Sequence, residues 1–370
     1  MPAPNSFQYT KGKCKMKRLI IPLLALLLVV GSGCAKKRIR YQAEFLSLFD
    51  TVTTIVGYAE NKEEFTVLAG RIKDKLMEYH RLFDIYNSYA GLNNIKTIND
   101  NAGIAPVKVD EELIAMLLFA KEQYYVTDGK TNIAFGSVLR IWHDYRENGI
   151  SDPLGAEVPP KQLLEVAAGY IDIEGMIIDQ EASTVYLSDP GISLDVGAIA
   201  KGYAVEQTAQ YLEGEGVSSL LLSVGGNIRA IGGKPGKNGM EPWNIGIKNP
   251  DQESSDPELC NVLISGYSVV SSGSYERYYT VDGTRYHHII DPSTLMPPPY
   301  FTSITVICRD SGIADALSTA LFNMPLEMGE KFVEGIDGVE ALWVTGTGEV
   351  IYSEGFGGFL KEPALIIFHL

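Results

Sequence analysis

The chain has 370 residues, 45% hydrophobic and 21% charged, enough apolar material for one large domain or two modest ones. Its formal net charge of −15 lacks the Lys and Arg excess that neutralises a phosphate backbone, which argues against nucleic acid as a partner. A small phosphate-bearing molecule held by a metal ion or by helix N-termini stays compatible with that charge.

The N-terminus reads as a targeting signal. Lys11, Lys13, Lys15, Lys17 and Arg18 precede an apolar run over residues 19–30. Such a run fits a signal-peptide core and falls short of the ~20 residues that a spanning helix needs. Gly31, Ser32 and Gly33 then lead to Cys34, which resembles the lipobox of bacterial lipoproteins, although Gly31 occupies a position usually held by Leu. The expected division is a signal peptide over residues 1–33, with Met16 as the start, a lipid-anchor tether over 34–43 with Cys34 lipidated, and a domain over 44–370. An uncleaved anchor or a plain secretory signal is the alternative. The basic stretch "AKKRIRYQA" would lie near the membrane surface.

Along the chain, residues 44–59 alternate apolar and β-branched residues and predict a strand. Residues 62–83 space apolar side chains by three and four and predict a helix. Residues 109–129 predict another, acidic at its start and followed by Gly129. "IWHDYRENG" reads as a short piece ending in a turn, and "PPKQLLEVAAGY" as a helix. Residues 176–197 suggest a hairpin and a following strand. Residues 198–216 are helical, and "SSLLLSVGGNIRAIG" is a strand, a Gly-Gly-Asn turn and a strand. "WNIGIKNP", "NVLISGYSVVSSGSYERYY" and "YHHIID" look extended. "SGIADALSTALFNM" is a helix, and "ALWVTGTGEVIYSEGF" a terminal hairpin. Strands interleave with helices without regular βαβ spacing, so the expected class is α+β with a mostly antiparallel sheet.

Several stretches carry candidate chemistry. "SLDVGAIAKGYAVE" ends a strand and opens a helix with small residues, where unpaired N–H groups attract anions and Lys201 adds charge; simple packing is the alternative. In "GIADALSTALFNM", Asp315 and Thr319 are one helical turn apart on one face. Their oxygens suit magnesium, unless the Asp is merely solvated and the Thr bonds back to its own helix. In "YHHIIDPST", alternation puts His287 and Ile289 on one face and His288 and Ile290 on the other. A histidine beside an acidic turn is an acid/base candidate. "GGKPGKNG" is not a Walker A loop, and the G-x-S-x-G of hydrolases is missing. The four cysteines, Cys14, Cys34, Cys260 and Cys308, contain no CxxC, which argues against zinc and thiol-redox sites. Cys260 and Cys308 could bridge, but the apolar "SITVIC" favours a buried thiol at Cys308.

In order, "LDVGAIAKGYAVE", "LLLSVGGNIRAIG", "WNIGIKNP", "SVVSSGSYER", "HHIIDPST" and "ADALSTALF" resemble the ApbE family of FAD:protein FMN transferases, from about Phe49 to the C-terminal hairpin. The resemblance implies an ApbE-like, T-fold-related single catalytic unit that takes FAD as substrate with Mg2+. FMN would pass to a Thr or Ser hydroxyl of an acceptor flavoprotein, releasing AMP, outside the cytoplasm on a lipid-anchored protein. It assigns the metal to the Asp315 carboxylate, the Thr319 hydroxyl and the Ala198 carbonyl. It assigns the base to His288, with Asp291 organising its turn. Flavin contacts would come from Phe49 in place of a methionine, Tyr86, Asp195, Lys201, Ile290, and Lys130, Thr131 and Asn132 in place of A-F-D. Leu295 stands where the family's D-P-x-T-G has glycine. These departures leave room for two alternatives, an FAD pyrophosphatase giving FMN and AMP, or a non-catalytic flavin-binding lipoprotein.

Overall fold

The computed structural model describes residues 38–362. The expected signal peptide, Cys14 and the expected lipidation site Cys34 lie outside the described residues. Strand β1 (Ile39–Leu48) begins within the stretch read as a tether. The single strand expected over residues 44–59 is instead a hairpin of β1 with β2 (Thr51–Ala59). It turns at Phe49 and Asp50, whose φ values of 53° and 51° match the handedness that a two-residue hairpin turn needs. No glycine marks this turn, so the pattern ran through it.

Helix α1 (Lys62–Phe83) starts where the Asn61 side chain accepts the Glu64 amide, and buries a stripe from Phe65 through Ile72 and Leu76 to Leu82. Next come α2 (Ile95–Asp100), closed by an Asn94–Thr97 capping box, β3 (Val107–Lys108) and α3 (Glu111–Val126). Helix α4 (Gly136–Ser151) is far longer than the short piece expected, and α5 (Lys161–Ala167) follows. β4 (Met176–Asp179) and β5 (Thr184–Leu187) form the expected hairpin. The strand expected after them shrinks to one parallel bridge between Ser193 and Phe135. Helix α6 (Ala200–Gly214) leads to β6 (Leu220–Val224) and β7 (Asn227–Ile231).

Two short strands, β8 (Lys234–Gly236) and β9 (Gly239–Glu241), precede the hairpin of β10 (Trp243–Lys248) and β11 (Glu258–Ile264). Then follow β12 (Ser268–Gly273), β13 (Tyr278–Val281), β14 (Thr284–His287) and β15 (Phe301–Cys308). Helices α7 (Ser311–Phe322) and α8 (Leu326–Glu334), the latter not anticipated, lead to the terminal hairpin of β16 (Glu340–Thr345) and β17 (Val350–Tyr352).

Eight strands form the central sheet in the order β1-β2-β6-β7-β12-β15-β16-β17, and every neighbouring pair is antiparallel. The expected α+β class is therefore what the chain adopts. α1, α6 and α7 cover one face. The other face packs Val56, Ala230, Val269, Ile307 and Leu342 against Trp243, Ile245 and Ile247 of β10. Alternation in β10 sends every second residue inward. Fully buried side chains such as Phe322 and Trp343 each contribute about 1.5–3 kcal/mol.

The contact that positions the site is between α6 and α7. A Cβ on Gly202 would lie 2.3 Å from the Ser311 carbonyl oxygen and 2.4 Å from Asp315 Cβ, so only glycine lets the helices approach this closely. Beside that crossing Glu206 Oε2 accepts from Arg229 Nε of β7 and from the Ser311 amide at the start of α7, both at 2.9 Å. This ion pair is buried. Cys260 and Cys308 are free thiols, Cys308 buried as expected; burial pushes them up to about 11 and about 12.

Candidate functional site

A cleft of about 710 Å3 opens where the two hairpin turns of β1–β2 and β6–β7 meet the starts of α4 and α6, the side of α7 and the segment after β14. The β6–β7 turn is Gly225–Gly226, with φ of 53° and 92°. A Cβ on Gly225 would also fall 2.6 Å from Thr51 Oγ1, so both conformation and space demand glycine there. The Gly-Gly-Asn turn read from the sequence is thus part of the cleft wall.

Asp315 is buried on α7, and its Oδ2 accepts the Gly202 amide at 2.8 Å. Burial raises its pKa, opposed by Lys201, the Gly202 amide and Asn227. Thr319, one turn further on, and Ala198, just before α6, line the same cleft. Asn227 lines it too, and its buried Oδ1 has no hydrogen-bond partner. One carboxylate, a hydroxyl, a carbonyl and an orphaned amide oxygen are the hard donors a small divalent cation takes. No cluster of three or more His, Cys, Asp or Glu side chains able to hold a metal occurs among the described residues. The Asp315 carboxylate with neutral oxygen donors beside it is a set that would suit magnesium.

His288 follows the end of β14 and lines the cleft. Its amide donates to the Arg277 carbonyl at 3.0 Å, and its Nδ1 lies 3.3 Å from the same oxygen. A carbonyl only accepts, so Nδ1 carries the proton and Nε2 keeps its lone pair. Burial, then the charges of Arg277, His287, Arg146 and Lys201, push its pKa down to about 3. His287 turns the other way, as alternation predicts: it is buried, its ring 5.4 Å from that of Phe322 and its Nε2 on the Pro298 carbonyl.

Asp291 organises the turn. Its Oδ1 accepts the Ser293 amide, and its carbonyl accepts the Leu295 amide at 2.8 Å. Leu295 has φ of 61°, the left-handed conformation that glycine adopts at no steric cost. Its carbonyl accepts from Trp142 Nε1 and its side chain packs with the α4 cluster. The departure from glycine therefore leaves the loop closed.

The residues expected to contact flavin all reach the cleft: Phe49, Tyr86, Lys130, Thr131, Asn132, Asp195, Lys201 and Ile290. Several have their polar atoms engaged within the protein. Thr131 Oγ1 donates to the Ala316 carbonyl at 2.7 Å. Asn132 accepts the Ala134 amide and donates to the Ile171 carbonyl. The Lys130 ammonium meets Asp291 Oδ1 at 2.8 Å and Ser293 Oγ at 2.9 Å. Asp195 accepts the Gly197 amide; burial raises its pKa, opposed by that amide, His143, Lys201 and Arg146. Tyr86 is exposed at the rim, its ring 5.9 Å from His143, on a loop whose Tyr86 and Asn87 amides donate to Asp84.

Sequence reading missed the basic wall. Leu139, Trp142, His143 and Arg146 line the cleft at helical spacing on one face of α4. Arg277 lines it from the β12–β13 connection. Recognising α4 as a full helix would have exposed the spacing. Arg277 closes the stretch "SVVSSGSYER", but nothing in its residue types assigned it a role. Lys201, Arg146 and Arg277 share this lining with Asp50, Asp84, Asp195, Glu276 and Asp315, so the cleft offers local cations for an anionic group beside its own carboxylates.

This antiparallel α+β unit, with Asp315, Asp195 and His288 in one cleft, matches a model of the ApbE family over residues 49–343, and the chain belongs to that family. It is 31% identical to an FAD:protein FMN transferase of Klebsiella pneumoniae, over 77% of this chain and 84% of that one. It is 31% identical to one of Treponema pallidum, over 90% and 92%. Among solved structures it resembles the ApbE protein of Thermotoga maritima, with a TM-score of 0.75 and 30% identity over 88% of this chain and all of that one. The flavin transferase ApbE of Vibrio cholerae shares the fold, with a TM-score of 0.70 and 24% identity over 88% and 99%.

Proposed function

We propose that this protein transfers FMN from FAD to a Thr or Ser hydroxyl of an acceptor flavoprotein and releases AMP. The observation that carries this reading is the hydrogen bond from Gly202 to Asp315, 113 residues apart. It brings the α7 carboxylate to the start of α6, in the cleft that also holds His288.

Lys201, Arg146 and Arg277 hold the diphosphate and offset its charge. Tyr86 at the rim offers a ring face for stacking. The acceptor hydroxyl gives its proton to Nε2 of His288 while its oxygen bonds to the FMN phosphorus. The bond from that phosphorus to the bridging oxygen breaks, and the oxygen leaves with AMP. The Arg277 carbonyl fixes the imidazole tautomer, and Asp291 fixes the turn that carries it. Asp315, Thr319 and Ala198 would hold Mg2+, with the Asn227 amide oxygen beside them. When bound, the ion would neutralise phosphate charge and orient the diphosphate.

Incubating the protein with FAD, Mg2+ and a candidate acceptor tests the reading. FMN found covalently on the acceptor, with AMP released, supports transfer. Free FMN and AMP without an acceptor would establish a pyrophosphatase instead. FAD bound and recovered intact would leave only a flavin-binding protein. The N-terminal pattern supports a lipid-anchored, extracytoplasmic location. Membrane fractionation checks it: Cys34→Ser is expected to release the protein, and full retention would count against the anchor.

A further inference from the structure

The turn that carries His288 hangs between two unrelated parts of the core. Ile289 packs into the cluster of α7, β15 and β16, and Ile290 into the cluster of α4 and the β13–β14 hairpin. Beyond them the chain closes on itself, with the Asp291 amide on the Met296 carbonyl at 3.0 Å. Leu295 sits there in a left-handed conformation that disfavours a branched side chain. Such a loop needs an outside tie to keep one conformation.

That tie is Lys130. Its ammonium bonds Asp291 Oδ1 at 2.8 Å and Ser293 Oγ at 2.9 Å, across 161 and 163 residues. Both partners of the ion pair are largely withdrawn from water, with side-chain exposures of 18% and 5%. Screening is weak at such a position, and the geometry is held. The backbone of Lys130 is anchored in turn to α7. The Lys130 carbonyl accepts from Asn323 Nδ2 at 3.3 Å, and the next residue, Thr131, bonds the Ala316 carbonyl. Ala316 adjoins Asp315 on the helix that carries two of the proposed cation ligands, Asp315 and Thr319.

We infer that Lys130 is a positioning residue: a strut that ties the His288 turn to α7 and so fixes the imidazole relative to the cation-binding carboxylate. Its charge serves Asp291 and not the flavin. The inference rests on the proposed transfer reaction for its catalytic readout, and on the geometry alone for its structural one.

Three variants test it, Lys130→Met, Lys130→Arg and Asp291→Asn, together with the Lys130→Met/Asp291→Asn pair. The structural readout is amide hydrogen exchange in the protein without FAD. Loss of the strut is expected to speed exchange at Ser293 and Leu295, with α1 unchanged. The catalytic readout is FMN release or transfer, alongside FAD affinity by flavin fluorescence. Lys130→Met is expected to lower kcat about 10- to 100-fold, as misplacement of a reacting group does, with FAD affinity within about twofold. Lys130→Arg should recover most of the rate. In the double variant Asp291→Asn should add little, because both changes cut one link. A rise in FAD dissociation constant with kcat retained would make Lys130 a ligand contact and overturn the inference. So would independent, multiplicative effects of the two substitutions, or exchange rates that do not change. Should Lys130→Met fail to fold, Lys130→Gln with Ser293→Ala carries the same exchange test. Wild-type protein inert toward FAD would instead sink the proposed reaction and leave the exchange result standing.

Discussion

Asp315 Oδ2 and the Gly202 amide are joined at 2.8 Å across the α6–α7 crossing. One hydrogen bond thus links the helix that carries Lys201 to the helix that carries the buried carboxylate proposed as a cation ligand. The bond occupies one oxygen and orients the carboxylate, as an outer partner does for a metal ligand.

Two substitutions separate the ligand from its support. Asp315→Ala should lower Mg2+-dependent FAD turnover by about 10²- to 10³-fold, the usual cost of losing one preorganised electrostatic partner. Gly202→Ala forces a Cβ against the Ser311 carbonyl and Asp315 Cβ and should destabilise by about 1–3 kcal/mol. A displaced outer partner should also weaken Mg2+ binding about 10- to 100-fold. Denaturant unfolding and Mg2+ titration measure the two effects. Turnover unaltered by Asp315→Ala would remove the cation assignment.

His288 should act as a neutral base throughout the physiological range. Burial and neighbouring cations push it from 6.5 down to about 3, so kcat/KM should show no imidazole inflection near the ordinary value. The same shift has a stability consequence. The unfolded chain takes up protons below 6.5 while folded His288 and His287 resist them, so their contribution is complete above that pH and declines as pH falls below it. His288→Ala should lower kcat about 10²- to 10⁴-fold with FAD affinity little changed. A pH–rate profile with a half-maximum near 6.5 that vanishes in this variant would contradict the neutral-base assignment.

The Glu206–Arg229 pair clamps α6, β7 and the start of α7. With side-chain exposures of 5% and 7%, removing one partner strands a buried charge. Arg229→Met should therefore cost about 3–5 kcal/mol. Glu206→Gln/Arg229→Met together should cost less than the sum of the single changes. Urea titration of the four proteins gives the coupling; additive losses would show that the pair does not act as a unit.

Much of this protein was legible along the chain. Helix α1 announced itself through apolar spacing and α3 through its acidic start and closing Gly129, α6 and α7 were likewise read as helical, and the glycine pair at 225–226 stood out through the φ that a tight hairpin requires. The alternation of "HHII" correctly separated a packing histidine from one facing the cleft. These are local properties, because side-chain direction follows from the period of the backbone. The turn at Phe49–Asp50 escaped because nothing in its residue types demands a positive φ, and the extent of α4 escaped because "IWHDYRENG" read as a short piece ending in a turn.

What the residues could not state was which distant groups would meet. Lys130 was expected to contact flavin, and its ammonium lies on Asp291; Arg277 closes the quoted stretch "SVVSSGSYER" without a role assigned to it, yet its carbonyl accepts from the His288 amide. The amino-acid order by itself determined the fold class, the family and the residue types able to do the chemistry. Only the packing of α6 on α7 and the closing of the loops decided partners, charge states and the shape of the cleft. Those depend on contacts between segments more than a hundred residues apart, which periodicity does not record.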